Sequence, residues 1–123
     1  MSKLRMKFGV VMMLTAAIVL SACGNKEDNK ISDGVSNMKT VLTDVQKAVD
    51  AGDAAKAKTE AANLEEAWAK FEDNVKDKSK ELYEKAETPL HVIEAGAGVD
   101  PLDKEVLTKS VNELNQVLDE INK

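Results

Sequence analysis

Cysteine, histidine, proline and aromatic side chains are all scarce in this 123-residue chain. With one cysteine, Cys23, there can be no intramolecular disulfide and no second thiol for redox chemistry. With one histidine, His91, there is no H-E-x-x-H metalloprotease pattern, and a serine–histidine relay would have to recruit Ser79 or Ser110 with no supporting motif. A glycine-rich phosphate loop is also missing. These absences argue against hydrolase chemistry and against an enzyme in general. Only Pro89 and Pro101 interrupt the chain as prolines, and no stretch alternates apolar and polar residues as a half-buried strand would.

The N-terminus reads as an export signal. Lys3, Arg5 and Lys7 precede an uncharged, mostly apolar run from Phe8 to Ala22. That run falls short of the roughly 20 apolar residues a membrane-spanning helix needs. It ends in Leu20-Ser21-Ala22-Cys23, which resembles a bacterial lipobox. The resemblance implies cleavage before Cys23, lipidation of its thiol and acylation of the new N-terminus. Residues 1–22 are then the signal peptide, 23–30 the lipidated cysteine with a polar tether, and 31–123 the folded domain, facing outside the cytoplasm of a bacterial cell. More than one acyl chain makes such anchoring stable. Loss of three basic residues with the signal takes the formal charge from −5 to −8. That charge argues against nucleic acid as a partner and is compatible with cations.

From Ile31 the pattern is helical. Ile31, Val35, Met38, Leu42, Val45 and Val49 recur at alternating spacings of four and three, a narrow apolar seam. Gly52 suits a left-handed C-terminal cap and Asp53 the next N-cap. A second helix begins alanine-rich and turns bulky at Leu64, Trp68, Phe71 and Val75, with a turn expected at Lys76–Lys80. A third buries Leu82, Ala86, Leu90 and Ile93. Its apolar phase passes through Pro89 undisturbed, which favours a kinked continuous helix over a break capped by Thr88. Gly96 and Gly98 end it. Asp100-Pro101 is expected to open a fourth helix, with the seam Leu107, Val111, Leu114, Leu118 and Ile121. Four helices of similar length with short loops predict an all-α, up-down-up-down antiparallel four-helix bundle.

The chemistry-bearing residues collect in Leu64–Glu94. His91-x-x-Glu94 puts an imidazole and a carboxylate on one helix face, where they can share a cation. Glu87 and Tyr83, at steps of four before His91, extend that face along the edge of the core stripe. On the second helix Glu65 and Glu72 lie at about 100° and 80° from Leu64, also beside the core. One histidine with several carboxylates suits iron, zinc or manganese. Met38, the only soft ligand left after cleavage, lies on the first seam, which argues against Cu(I).

Trp68-x-x-Phe71-Glu72, Tyr83-x-x-x-Glu87 and His91-x-x-Glu94 resemble helical segments of bacterial iron-uptake components. These are the imelysin-like lipoproteins (EfeO type) and the extracytoplasmic helical region of high-affinity iron permeases. The resemblance covers roughly Leu64–Leu118 and implies metal ligation by His91 and Glu94, with Glu72 a further ligand. Members of that family are longer and carry two bundles, where this chain has room for one. The expectation is a membrane-anchored lipoprotein that binds a transition-metal cation, iron first, through His91, Glu94, Glu87 and Glu72, supported by Tyr83, Trp68 and Glu65. It would assist uptake beside an iron permease. The alternative is a metal-free lipoprotein whose acidic surface docks to another envelope protein.

Overall fold

The computed structural model describes residues 26–123, with side chains from residue 29 onward. The signal peptide and Cys23 lie outside the described residues. Those described form five helices and no strand: α1 (Lys26–Ala51), α2 (Ala54–Ala69), α3 (Glu72–Lys78), α4 (Lys80–Ala97) and α5 (Lys104–Ile121). None is long and apolar enough to cross a membrane. The first helix begins at Lys26, so the last five residues of the expected tether are helical.

The seam on α1 is buried throughout, from Ile31 to Val49. So is that on α5, from Leu107 to Ile121. Each fully buried aliphatic side chain contributes about 1.5–3 kcal/mol, an upper bound set against an extended chain. Packing of these stripes, more than local propensity, holds the helices. α1 packs on α2 and α5, and α4 packs on α5, α2 and α3. Lys39 of α1 pairs with Asp119 of α5 and Gln46 with Thr108, so the two helices run in opposite directions. Trp68 facing Glu87 sets α2 against α4, and Lys85 near Glu120 sets α4 against α5.

Local signals account for most boundaries. Gly52 adopts φ 67°, the left-handed cap, and Asp53 accepts from Lys56 N at 3.0 Å to open α2. Pro89 sits inside α4, which continues to Ala97.

Two boundaries differ from the sequence reading. The second helix does not run on to Val75; it stops at Ala69, and the expected turn at Lys76–Lys80 lies largely within α3. Phe71 leaves helical geometry (φ −139°, ψ 5°) and caps α3 from its own buried position. Its ring fills the hollow beside Gly34, where a Cβ would stand 2.3 Å from the Phe71 ring. Ser79 then breaks the chain, its hydroxyl accepting from Leu82 N at 3.3 Å. The second difference is at α5, which is capped by Asp103, accepting from Val106 N at 3.2 Å, and not by Asp100. Leu102 is drawn against the core ahead of the helix, so the start falls later.

Candidate functional site

The residues singled out from the sequence converge where α2, α3 and α4 meet. Glu65 and Trp68 are three apart on α2, so the acid flanks the buried indole. Glu72 opens α3. On α4, Tyr83, Glu87, His91 and Glu94 follow at steps of four, four and three, which keeps them on one flank. The unbroken course of α4 past Pro89 keeps Glu87 and His91 in that register.

Glu87 is the hub. Its Oε1 accepts from the Trp68 indole N–H at 2.6 Å, and its Oε2 lies 2.9 Å from His91 Nε2. The indole itself is fixed by Phe71, edge-on at 5.3 Å between ring centroids, and by Tyr83, stacked at 5.8 Å. Lys76 stands 5.4 Å from the centre of the Tyr83 ring, a cation–π contact bordering the acids.

Glu65 and Glu94 meet carboxyl to carboxyl. A hydrogen bond between two carboxyl groups needs one proton, and that bond is the first cause pushing Glu65 up to about 7. Burial and the charges of Glu94 and Glu87 add to it, while His91 opposes it. Glu94 Oε1 is buried and lacks any standing N–H or O–H donor among the described residues. Glu72 is also raised, first by burial and then by Glu87, Asp73 and Glu65, with Lys76 opposing. The Tyr83 hydroxyl is held above its usual range by desolvation and by the charges of Glu87 and Glu72.

The linkage to stability follows from Glu65. Unfolded, its carboxyl takes the ordinary value of 4.5. Between there and about 7 the native protein holds a proton that the unfolded chain has released. This contribution is fully present below about 4.5 and is lost as pH rises through about 7. Water reaches the exposed Glu65 side chain and reduces the effect.

Among the described residues, no three His, Cys, Asp or Glu side chains are set to hold a metal ion as they stand. Their donor atoms are engaged with one another: Glu87 with Trp68 and His91, Glu65 with Glu94. The buried, donorless oxygen of Glu94 fits a cation in chemical terms.

Sequence reasoning places these residues on one flank but misses the tie between Trp68 and Glu87, which makes an aromatic of the core part of the acidic site. Glu65, read from the sequence as a supporting residue, is the partner of Glu94. An indole and a carboxylate at the facing edges of two neighbouring helix stripes is the available signal. Elsewhere, Gln46 Oε1 is also buried without a partner, in a groove between α1 and α5 where its amide donates to Asp50 and Thr108. Comparison with protein-family models, curated proteins and solved structures finds no match for this chain.

Proposed function

We propose that this chain is a lipoprotein, anchored through Cys23 and facing outside the cytoplasm, that binds a divalent transition-metal cation and assists its uptake. The domain is taken as an up-down-up-down four-helix bundle in which α2 and α3 together form one arm. The opposed registers of α1 and α5 support that topology.

The observation that carries the function is the Glu65–Glu94 carboxyl pair, raised to about 7 at Glu65 and leaving a buried oxygen of Glu94 without a donor. Gathering like charges at a helix junction costs stability above neutral pH, and a cation would relieve that cost. His91 and Glu94 are the primary ligands, with Glu65 joining them when its proton leaves, and Glu72 and Glu87 on the same flank. Carboxylates with one imidazole suit Fe(II), Mn(II) or Zn(II). The resemblance of Trp68-x-x-Phe71-Glu72 and His91-x-x-Glu94 to iron-uptake segments makes iron the first choice and an iron permease the natural membrane partner. The alternative, a metal-free docking lipoprotein, draws its support from acids already bonded to each other and from exposed Val92, Val99 and Val106.

Calorimetric titration of the full chain in detergent with Fe(II), Mn(II) and Zn(II) separates the two. One cation per chain should bind at pH 7.5, with at least tenfold loss in His91→Ala, equivalent to about 1.4 kcal/mol. Binding to none of the three, or equal binding by His91→Ala, sinks the ligand assignment and leaves the docking reading.

A further inference from the structure

The large apolar side chains left exposed among the described residues all belong to the α4–α5 hairpin: Val92 at 38%, Val99 at 57% and Val106 at 45%. Helical spacing gathers them on one side. Measured from the buried stripe of α4, Lys85, Pro89 and Val92 lie about 60–120° toward α5, on the flank opposite Tyr83, Glu87, His91 and Glu94. On α5, Val106, Glu113, Val117 and Glu120 lie about 60–120° from Leu114, away from the side bonded to α1. Lys85, Pro89, Glu113, Val117 and Glu120 line a groove between the two helices, and Val99 follows in the turn that leads to Val106. Val117 is only partly buried against the core. An apolar strip therefore runs from this groove to the hairpin tip, bounded by α4 and α5 alone. Charges of both signs border it. Lys85 lies 3.2 Å from Glu81 and 3.9 Å from Glu120, and Lys109 stands one turn before Glu113.

We propose that this face pairs with the same face of a second copy of the chain, α4 of each lying against α5 of the other about a two-fold axis parallel to the helices. A two-fold interface must be self-complementary. The approach of Lys85 to Glu120, and of Gly96 to Leu107, fixes which residues of α4 and α5 share a level. The axis repeats that match between copies, so Lys85 comes opposite Glu120 of the second copy and Val106 opposite its Val99. Charge points to the same occupant. A chain of formal charge −5 repels its own copies, so close approach favours a face that brings cations with it. Toward α5, α4 carries Lys85 among its acids; from Tyr83 to Glu94 the opposite flank carries Glu87 and Glu94 and no lysine. The parallel axis also leaves both N-termini at one end, as two lipid anchors in one membrane require, and shared tethering raises the effective concentration of the pair. The pairing makes no use of the acidic flank and is independent of the cation reading.

Sedimentation equilibrium of the full chain in density-matched detergent reads the pairing. The native chain should be monomeric at about 1 μM and mostly dimeric at about 100 μM, the weak range expected of a small interface. Val92→Asp and Val106→Asp fall at exposed positions, so both variants should keep the native helical circular dichroism. Each should weaken association by about tenfold or more, because the symmetry sets two unpaired carboxylates into the shared face. Thr59→Asp, which adds the same charge at an exposed position of α2, should leave association unchanged. A native chain still monomeric at about 100 μM overturns the proposal and leaves the face to a different envelope protein. Undiminished association in Val92→Asp and Val106→Asp overturns it in favour of contact through the acyl chains. Equal weakening in Thr59→Asp overturns it too, since net charge and not this face would then govern association.

Discussion

Trp68→Ala should destabilise the protein by about 3–5 kcal/mol, the range for truncating a large buried aromatic. The indole heads the fully buried side chains by volume. It touches Phe71 edge-on and Tyr83 face-on, and it supplies the hydrogen bond to Glu87. Removing it leaves a cavity where α2, α3 and α4 meet. Domains of this size have about 5–15 kcal/mol in total, so the variant sits near the edge of folding. Urea unfolding followed by circular dichroism is the measurement, because the only tryptophan is lost. Trp68→Phe, which fills much of the cavity, should cost distinctly less. A loss under about 1 kcal/mol in Trp68→Ala would mean that the indole is not the keystone of this junction.

The second large effect is at Gly34. In an isolated helix, glycine to alanine gains about 1 kcal/mol. Here the new Cβ would stand 2.3 Å from Phe71 Cδ1 and 2.4 Å from Cγ, inside a ring that is itself pressed against Trp68. Overpacking of a core typically costs about 1–3 kcal/mol, so the propensity gain is outweighed and Gly34→Ala should destabilise. Pairing it with Phe71→Leu should recover part of the loss, giving a double-mutant coupling of at least about 0.5 kcal/mol. Gly96→Ala is the comparison: its Cβ would meet Leu107 Cδ2 at 2.8 Å and Cγ at 3.3 Å, a buried aliphatic side chain with rotatable bonds in place of a rigid ring, and should cost less. If Gly34→Ala stabilises the chain, or if its effect simply adds to that of Phe71→Leu, the close approach of α1 to Phe71 is wrong.

These two sites mark the limit of what local pattern carries. The seams on α1 and α5, the Gly52–Asp53 junction and the passage of α4 through Pro89 are all legible in the sequence, because each is decided by residues within a turn or two. The break at Phe71 is different. It depends on a hollow beside Gly34, far away in the chain and invisible to periodicity. Val75 still faces the core after the break, so the apolar spacing gives no sign of it. A glycine inside a strongly patterned helix is the available clue, since it often marks close approach of another element. The acid site is legible to the same degree. Spacing puts Tyr83, Glu87, His91 and Glu94 on one flank, but which carboxylate is already held by Trp68, and which shares a proton with Glu65, are contacts between helices.

Whether the Glu65–Glu94 flank is a cation site is read from the melting temperature of the full chain at pH 5.5 and pH 8, with and without Mn(II) or Zn(II). Without metal, the protein should melt lower at pH 8, where the Glu65 proton is lost. At pH 8 a cation at about 100 times its dissociation constant should add about 2.7 kcal/mol, roughly 10–20 °C for a domain this small. At pH 5.5, where the proton remains on Glu65, the rise should be much smaller. Glu94→Gln should abolish the pH 8 rise. An unchanged melting temperature at pH 8 on adding either cation, or an equal rise in Glu94→Gln, would rule out a cation site at this flank.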